Sequence, residues 1–358
     1  MTILRRSPDT AILPGDGAGS GRRILFPVLI LLAVLLFILD ILVGSVTLST
    51  GEVLKALFSQ ADSGTETIVM KFRLPKAVTA ALVGIALSVS GLQMQTLFRN
   101  PMAGPYVLGI SSGASLGVAF VILGFSASSI QFSISLLGNW ALVAAAWAGA
   151  GAVMILIMVI SSRVKDIMIV LILGIMLSSG ISAIVSIMQY FTSESMLKAY
   201  VIWTMGSLGN LTSLQLQVLV VSLAAGIAAT LFSSKMLNAL LLGENYATSI
   251  GLNVKFARFL ILASTSILAG SVTAFCGPVG FIGIAVPHIA RIILRSSDHR
   301  VLIPGVILIG SIAMLASDII SQMPGSDKVL PVNSVTSLIG IPVVIWVVLR
   351  NRKYSGFF

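Results

Sequence analysis

Apolar residues fill this chain in long stretches, and the polar residues collect between them. A helix needs about 20 apolar residues to cross the hydrocarbon core of a bilayer. Ten stretches approach that length, at 24–44, 76–97, 105–124, 139–160, 167–190, 213–232, 258–275, 280–295, 303–321 and 332–349. Charges or Pro/Gly breaks separate them. The third and eighth are short and interrupted by glycine. The pattern predicts an all-α membrane protein with about ten transmembrane helices over 24–350. It also predicts a polar, Gly-rich and disordered N-terminal tail (1–23) and a short C-terminal tail (351–358).

Composition agrees: 57% of the 358 residues are hydrophobic, only 9% are charged, and mean hydropathy is +1.06. Soluble domains carry about 25% charged residues, so lipid has to be the solvent here. A net charge of +10 raises nucleic acid as a partner, but the basic residues sit in short clusters between apolar runs. With the N-terminus inside, sixteen basic residues face the cytoplasm and six lie outside, as the positive-inside rule requires. Both termini of this multi-pass protein are therefore expected in the cytoplasm. Arg22-Arg23 precede an apolar run with no small-residue cleavage site, so the first span reads as retained.

Several kinds of chemistry drop out. One cysteine, Cys276, cannot form an intramolecular disulfide, and two histidines without HExxH spacing do not suit zinc. The glycines at 15–21 lack the spacer and Lys-Ser/Thr of a phosphate loop, so this chain is expected to bind no ATP itself. Gly109-Ile110-Ser111-Ser112-Gly113 matches a nucleophile elbow, but that motif needs a strand-to-helix turn and a histidine partner. Only Asp40 and Asp318 are acids within spans. Each lies near the predicted outer end, where water or a basic neighbour is in reach, and two acids are too few for a proton relay.

The break between the second and third stretches reads FRNPMAGPYVLGISSGASLG (98–117). Pro101 and Pro105 each lack an N–H, and such backbone is tolerated at membrane depth only inside protein or beside a water-filled cavity. Gly109, Gly113 and Gly117 put small residues on one helix face, where another helix can approach closely. This stretch closely resembles the signature after the second helix of the FecCD-type permeases, the membrane subunits of ABC importers for iron–siderophore, haem and cobalamin. FRLPKAVTAALVGIALSVSG (72–91), GPVGFIGIAVPHIARIILRSSDHR (277–300) and LPVNSVTSLIGIPVVIWVVLR (330–350) resemble the family in the same order.

The resemblance implies a type II importer fold of ten helices with an inverted repeat, and Gly104–Ile110 does echo Gly277–Ile284. It implies a second permease copy or close paralogue, two ATPase subunits that use ATP and Mg, and an extracytoplasmic substrate-binding protein. Asn100 and Met102, with Asp166, Ile167 and Met168, fall at its inner constrictions, where large apolar side chains exclude water. The fifth and tenth spans line the pathway, the fifth with Met176, Met188, Ser178, Ser179 and Ser182. Within 233–258, Leu240, Leu242, Gly243 and Glu244 fall at the ATPase-coupling element, flanked by Arg295, His299 and Arg300.

Arg73 and Lys76 match the basic docking positions for the binding protein, beside Lys71. Gln322 departs from a common basic residue, Val329 from a common acid and Asn333 from a common glycine. The expected activity is import of an iron chelate (ferric siderophore or haem), with no covalent chemistry and no cofactor bound by this chain. Cobalamin is the alternative cargo. An ion-coupled secondary transporter and an intramembrane hydrolase are rivals of other classes.

Overall fold

The computed structural model describes residues 17–351, apart from 45, 47, 59–60, 125–138, 165, 210 and 324–328. Residues 1–16 of the predicted tail, all but the first residue of 351–358, and Lys165 and Lys328 of the basic count lie outside the described residues.

Among the described residues every regular element is helical. In chain order they are α1 (Gly17–Leu42), α2 (Thr50–Leu57), α3 (Ser63–Leu97), α4 (Ile110–Ile122), α5 (Asn139–Arg163), α6 (Ile167–Phe191), α7 (Glu194–Thr204), α8 (Ser213–Leu241), α9 (Glu244–Ser249), α10 (Val254–Cys276), α11 (Ile282–Leu294), α12 (His299–Ser321) and α13 (Val332–Asn351). Seven are long and apolar enough to cross a membrane: α1, α3, α5, α6, α8, α10 and α12. The other predicted stretches form the shorter apolar helices α4, α11 and α13. With 13 residues each, α4 and α11 span about 20 Å at 1.5 Å per residue, less than the ~30 Å hydrocarbon core.

The centre of the bundle is α3, which packs on α12, α10, α8 and α11. Its helical path starts at Ser63, well before the predicted 76, and passes through a π-helical turn at Ile68–Arg73. That wider turn accommodates Pro75, which lacks an N–H. Close contact with α12 and α11 depends on glycine. A Cβ on Gly84 would stand 2.1 Å from Gly310 O, and one on Gly91 1.7 Å from Gly283 O. The groove expected at Gly113 and Gly117 exists too, because their Cβ atoms would meet the α5 backbone at Gly149 O and Ala145 O. The echoed segments touch each other: a Cβ on Gly104 would meet Ile284, and one on Gly283 would meet Pro105.

Two expectations are corrected. The region 17–23, expected to be disordered, is the first part of α1, since an apolar helix extends through its flanking residues at little cost once nucleated. The stretch 233–241 of the expected coupling element is the end of α8 rather than part of the connection. Good helix formers carry it, and Leu237 and Leu240 are buried. The connection therefore begins only at Leu242.

Candidate translocation pathway and its two ends

Ser178, Ser179 and Ser182 share one face of α6 by helical spacing. They border a cavity of about 820 Å³ with Ser111 and Ser112 of α4, Asn333 and Ser337 of α13, and Tyr106, Ile175 and Phe281. No carboxylate, ammonium, guanidinium or imidazole is among its lining residues. Ser178 Oγ donates to Gly174 O (2.8 Å) and Ser179 Oγ to Ile175 O (3.1 Å), so their hydrogens are engaged by their own helix. Asn333 Oδ1 accepts from Gly280 N (3.0 Å) and thereby braces the turn before Phe281, which has φ +65°. The wall is uncharged and hydroxyl-rich. It offers no ligand set for a bare metal ion, and the described residues contain no cluster of three or more metal-ligating side chains.

The two expected inner constrictions are built alike. Asn100 Oδ1 accepts from Met102 N at 2.9 Å, and Asp166 Oδ1 accepts from Met168 N at 2.9 Å. Each polar side chain closes a local turn and presents a methionine, and both methionines are 41% exposed. Ile167 is buried behind Met168. Behind the first turn, His288 Nε2 lies 2.7 Å from Pro101 O.

The connection from α8 to α10 divides the expected coupling residues. Leu242 is 63% exposed whereas Leu240 is buried. Gly243 has φ +105°, a conformation that disfavours side chains, and a Cβ there would lie 3.4 Å from Arg99 Nη1. Glu244 is engaged within the chain, by an ion pair with Arg258 at 2.5 Å. Arg295 and Arg300 are exposed. His299 is not available for a partner, because it is fully buried, with Nδ1 2.7 Å from Asn238 Oδ1 and Nε2 2.8 Å from Thr96 Oγ1. Beside it Asp298 caps α12. Its carboxylate accepts from Arg300 N (2.9 Å) and Asn238 Nδ2 (2.7 Å), and those bonds hold its pKa below the usual value.

The expected docking residues also turn into the bundle. Arg73 is buried and donates to the carbonyls of Ile41, Leu42 and Val46, which ties α3 to the end of α1. Lys76 pairs with Asp318 at 3.1 Å. Gln322 Nε2 bridges Asp40 (2.8 Å) and Asp318 (3.1 Å). The two aspartates are therefore buried and partnered rather than solvated. A charge buried in an apolar bundle needs such compensation, which explains why these cations are drawn off the rim. Lys71 stays exposed, as does Val329. The sequence flagged Asp40 and Asp318 as unusual but gave no sign that Lys76 and Gln322 were their partners. It also left Arg258 as one cytoplasmic charge among many.

The family model of the FecCD transport family matches residues 31–350. The vitamin B12 import system permease BtuC of Salmonella typhimurium is 35% identical over 289 residues, 80% of this chain and 85% of BtuC. A Methanocaldococcus jannaschii protein assigned as an ABC transporter permease is 33% identical over 301 residues, 80% of this chain and 84% of its own length. Among solved structures, a metal-chelate type ABC transporter in an inward-facing conformation is similar, with TM-score 0.75, 26% identity, and coverage of 92% of this chain and 99% of that one. PsaBC from Streptococcus pneumoniae shares the fold at TM-score 0.53 and 18% identity over 79% of this chain. With most of its length matched by that model and relatives above 30% identity, this chain belongs to the FecCD transport family.

Proposed function

We propose that this chain is the permease subunit of an ATP-driven importer for a metal chelate of the ferric siderophore or haem kind. The observation that carries the reading is the uncharged, hydroxyl-lined cavity of about 820 Å³ between α4, α6 and α13. Many weak acceptors and aromatic surface let a bulky solute slide without being trapped, which a pathway requires. Two copies of the chain, or this chain and a close paralogue, face each other across α6 and α13. All ten apolar helices then serve as membrane crossings, with both termini in the cytoplasm. Met102 and Met168 narrow the inner mouth. ATPase subunits dock at Leu242, Gly243, Arg295 and Arg300, and a binding protein delivers cargo outside at a surface that includes Lys71. Hydrolysis of ATP in those separate subunits supplies the work.

Cobalamin is the second reading, favoured by the relatives at 35% identity that are named for vitamin B12 import. Its corrin ring fits the same uncharged wall. Proteoliposomes holding the permease, its ATPase and its binding protein separate the readings when offered radiolabelled ferric hydroxamate, haem and cyanocobalamin in turn. ATP-dependent accumulation of the hydroxamate or haem is the expected result, and cyanocobalamin alone would select the second reading. Accumulation driven by a proton gradient with no ATPase present would overturn both.

A further inference from the structure

Arg258 lies at the start of the second turn of α10, almost fully buried, and holds two separate segments at once. Its Nε and Nη2 grip Glu244 Oε1 and Oε2 at 2.8 and 2.5 Å. Its Nη1 donates to the carbonyl of Val164 at 3.0 Å. Glu244 is the first residue of α9, directly after the left-handed Gly243. Val164 sits in the link between α5 and α6, two residues before the Asp166 turn that presents Met168. One guanidinium therefore joins the cytoplasmic turn at Gly243 to the base of one inner constriction. The other constriction is tied elsewhere, through His288 and Pro101.

We propose that Arg258, clamped by Glu244, is a positioning residue that carries movement of the 243–249 turn to the α5–α6 link and so sets the place of Met168. The proposal rests on the permease reading above. Arginine suits the role because its planar fork can bind both carboxylate oxygens and still direct a third N–H elsewhere. A lysine at that position keeps the charge but cannot make all three contacts. The pair is mostly screened from water on the arginine side, so it acts as a fixed strut rather than a loose surface bridge.

The test compares Arg258→Lys, Glu244→Gln and the exchange E244R/R258E in the full complex, with uptake per ATP hydrolysed and the melting temperature of the permease both recorded. The probe is whichever of radiolabelled ferric hydroxamate, haem or cyanocobalamin the unaltered complex accumulates. Arg258→Lys and Glu244→Gln should lower uptake per ATP by at least about fivefold, the lower end of ordinary coupling energies. The exchange should recover melting temperature but not uptake, because a glutamate at 258 cannot donate to the Val164 carbonyl. A purely structural ion pair would recover both, and that result overturns the proposal, as does unchanged uptake per ATP in Arg258→Lys. If the single variants do not fold, the exchange decides by itself. An unaltered complex that shows no ATP-driven uptake of any probe would instead remove the permease reading and this proposal together.

Discussion

Helices α3 and α6 read alike as sequence, each long, apolar and sprinkled with small polar residues, yet they lead opposite lives. Of its apolar stretch, 78% of α3 is buried, against 28% for α6. From Arg73 onward the polar groups of α3 are spent inside the bundle. Arg73 and Lys76 are clamped, and Gln93 bonds to Thr230, Ser264 and Thr265 with every partner buried. Ser178, Ser179 and Ser182 of α6 instead border the cavity, and Met176 and Ile187 on the same helix are exposed. A polar residue on the central column therefore holds the fold together, while one on the outlying helix is free to meet cargo, lipid or a second copy.

Substitutions can break this contrast or sharpen it. The largest effect is expected from Asp318→Asn, which removes the buried counter-charge of Lys76 on α3. Removing one member of a buried pair costs about 3–5 kcal/mol, visible as a steep fall in the temperature at which the purified protein loses its monodisperse gel-filtration peak. Next comes Gly91→Ala on α3, whose new methyl would collide with Gly283 O. Overpacking of this sort costs about 1–3 kcal/mol, and an unchanged melting temperature would show that α3 and α11 are not so tightly apposed.

The matching change on α6 should go the other way. A Cβ on Gly180 meets nothing within 4 Å, so Gly180→Ala should stabilise the isolated chain by roughly 0.5–1 kcal/mol through helix propensity. A loss of uptake together with that gain would place a second copy against this face. The smallest effect belongs to Asp298→Ala at the start of α12. The depressed pKa of Asp298 means that its carboxylate stabilises the fold above its unfolded-state pKa, and that this contribution fades as pH falls through its folded value. The stability gap between Asp298→Ala and the unaltered protein should therefore be present at neutral pH and narrow below the ordinary value of 3.8. A gap that stays constant under acid would remove the carboxylate from the argument.

How far the sequence reached depends on the element. Pro101, Pro105 and the glycines after them made the break between α3 and α4 legible, because proline fixes φ and removes a donor while glycine admits left-handed backbone. The glycine face at 113 and 117 was legible for the same reason. Arg73 and Lys76 were readable only as positive charges outside the second span, and they matched docking positions by resemblance. Their partners lie 27 to 32 and 242 residues away in the chain, at Val46, Ile41 and Asp318, and no local pattern records such a distance. The coupling residues divided similarly. Gly243 was placed at the coupling element by resemblance, whereas the burial of Leu240 and His299 and the grip of Arg258 on Glu244 depend on how α8, α10 and α12 meet.

The sequence by itself determined the solvent, the approximate limits of the apolar helices and the places where helix must stop, since these follow from transfer free energy and backbone restriction summed over neighbours in the chain. Only the tertiary structure decided which of those helices is the core, which charges neutralise one another and which hydroxyls line a space. When a helix is apolar on every side, its periodicity cannot distinguish a lipid-facing side from a protein-facing one. That choice is made by close approach of distant backbones and by the need to pair every buried charge.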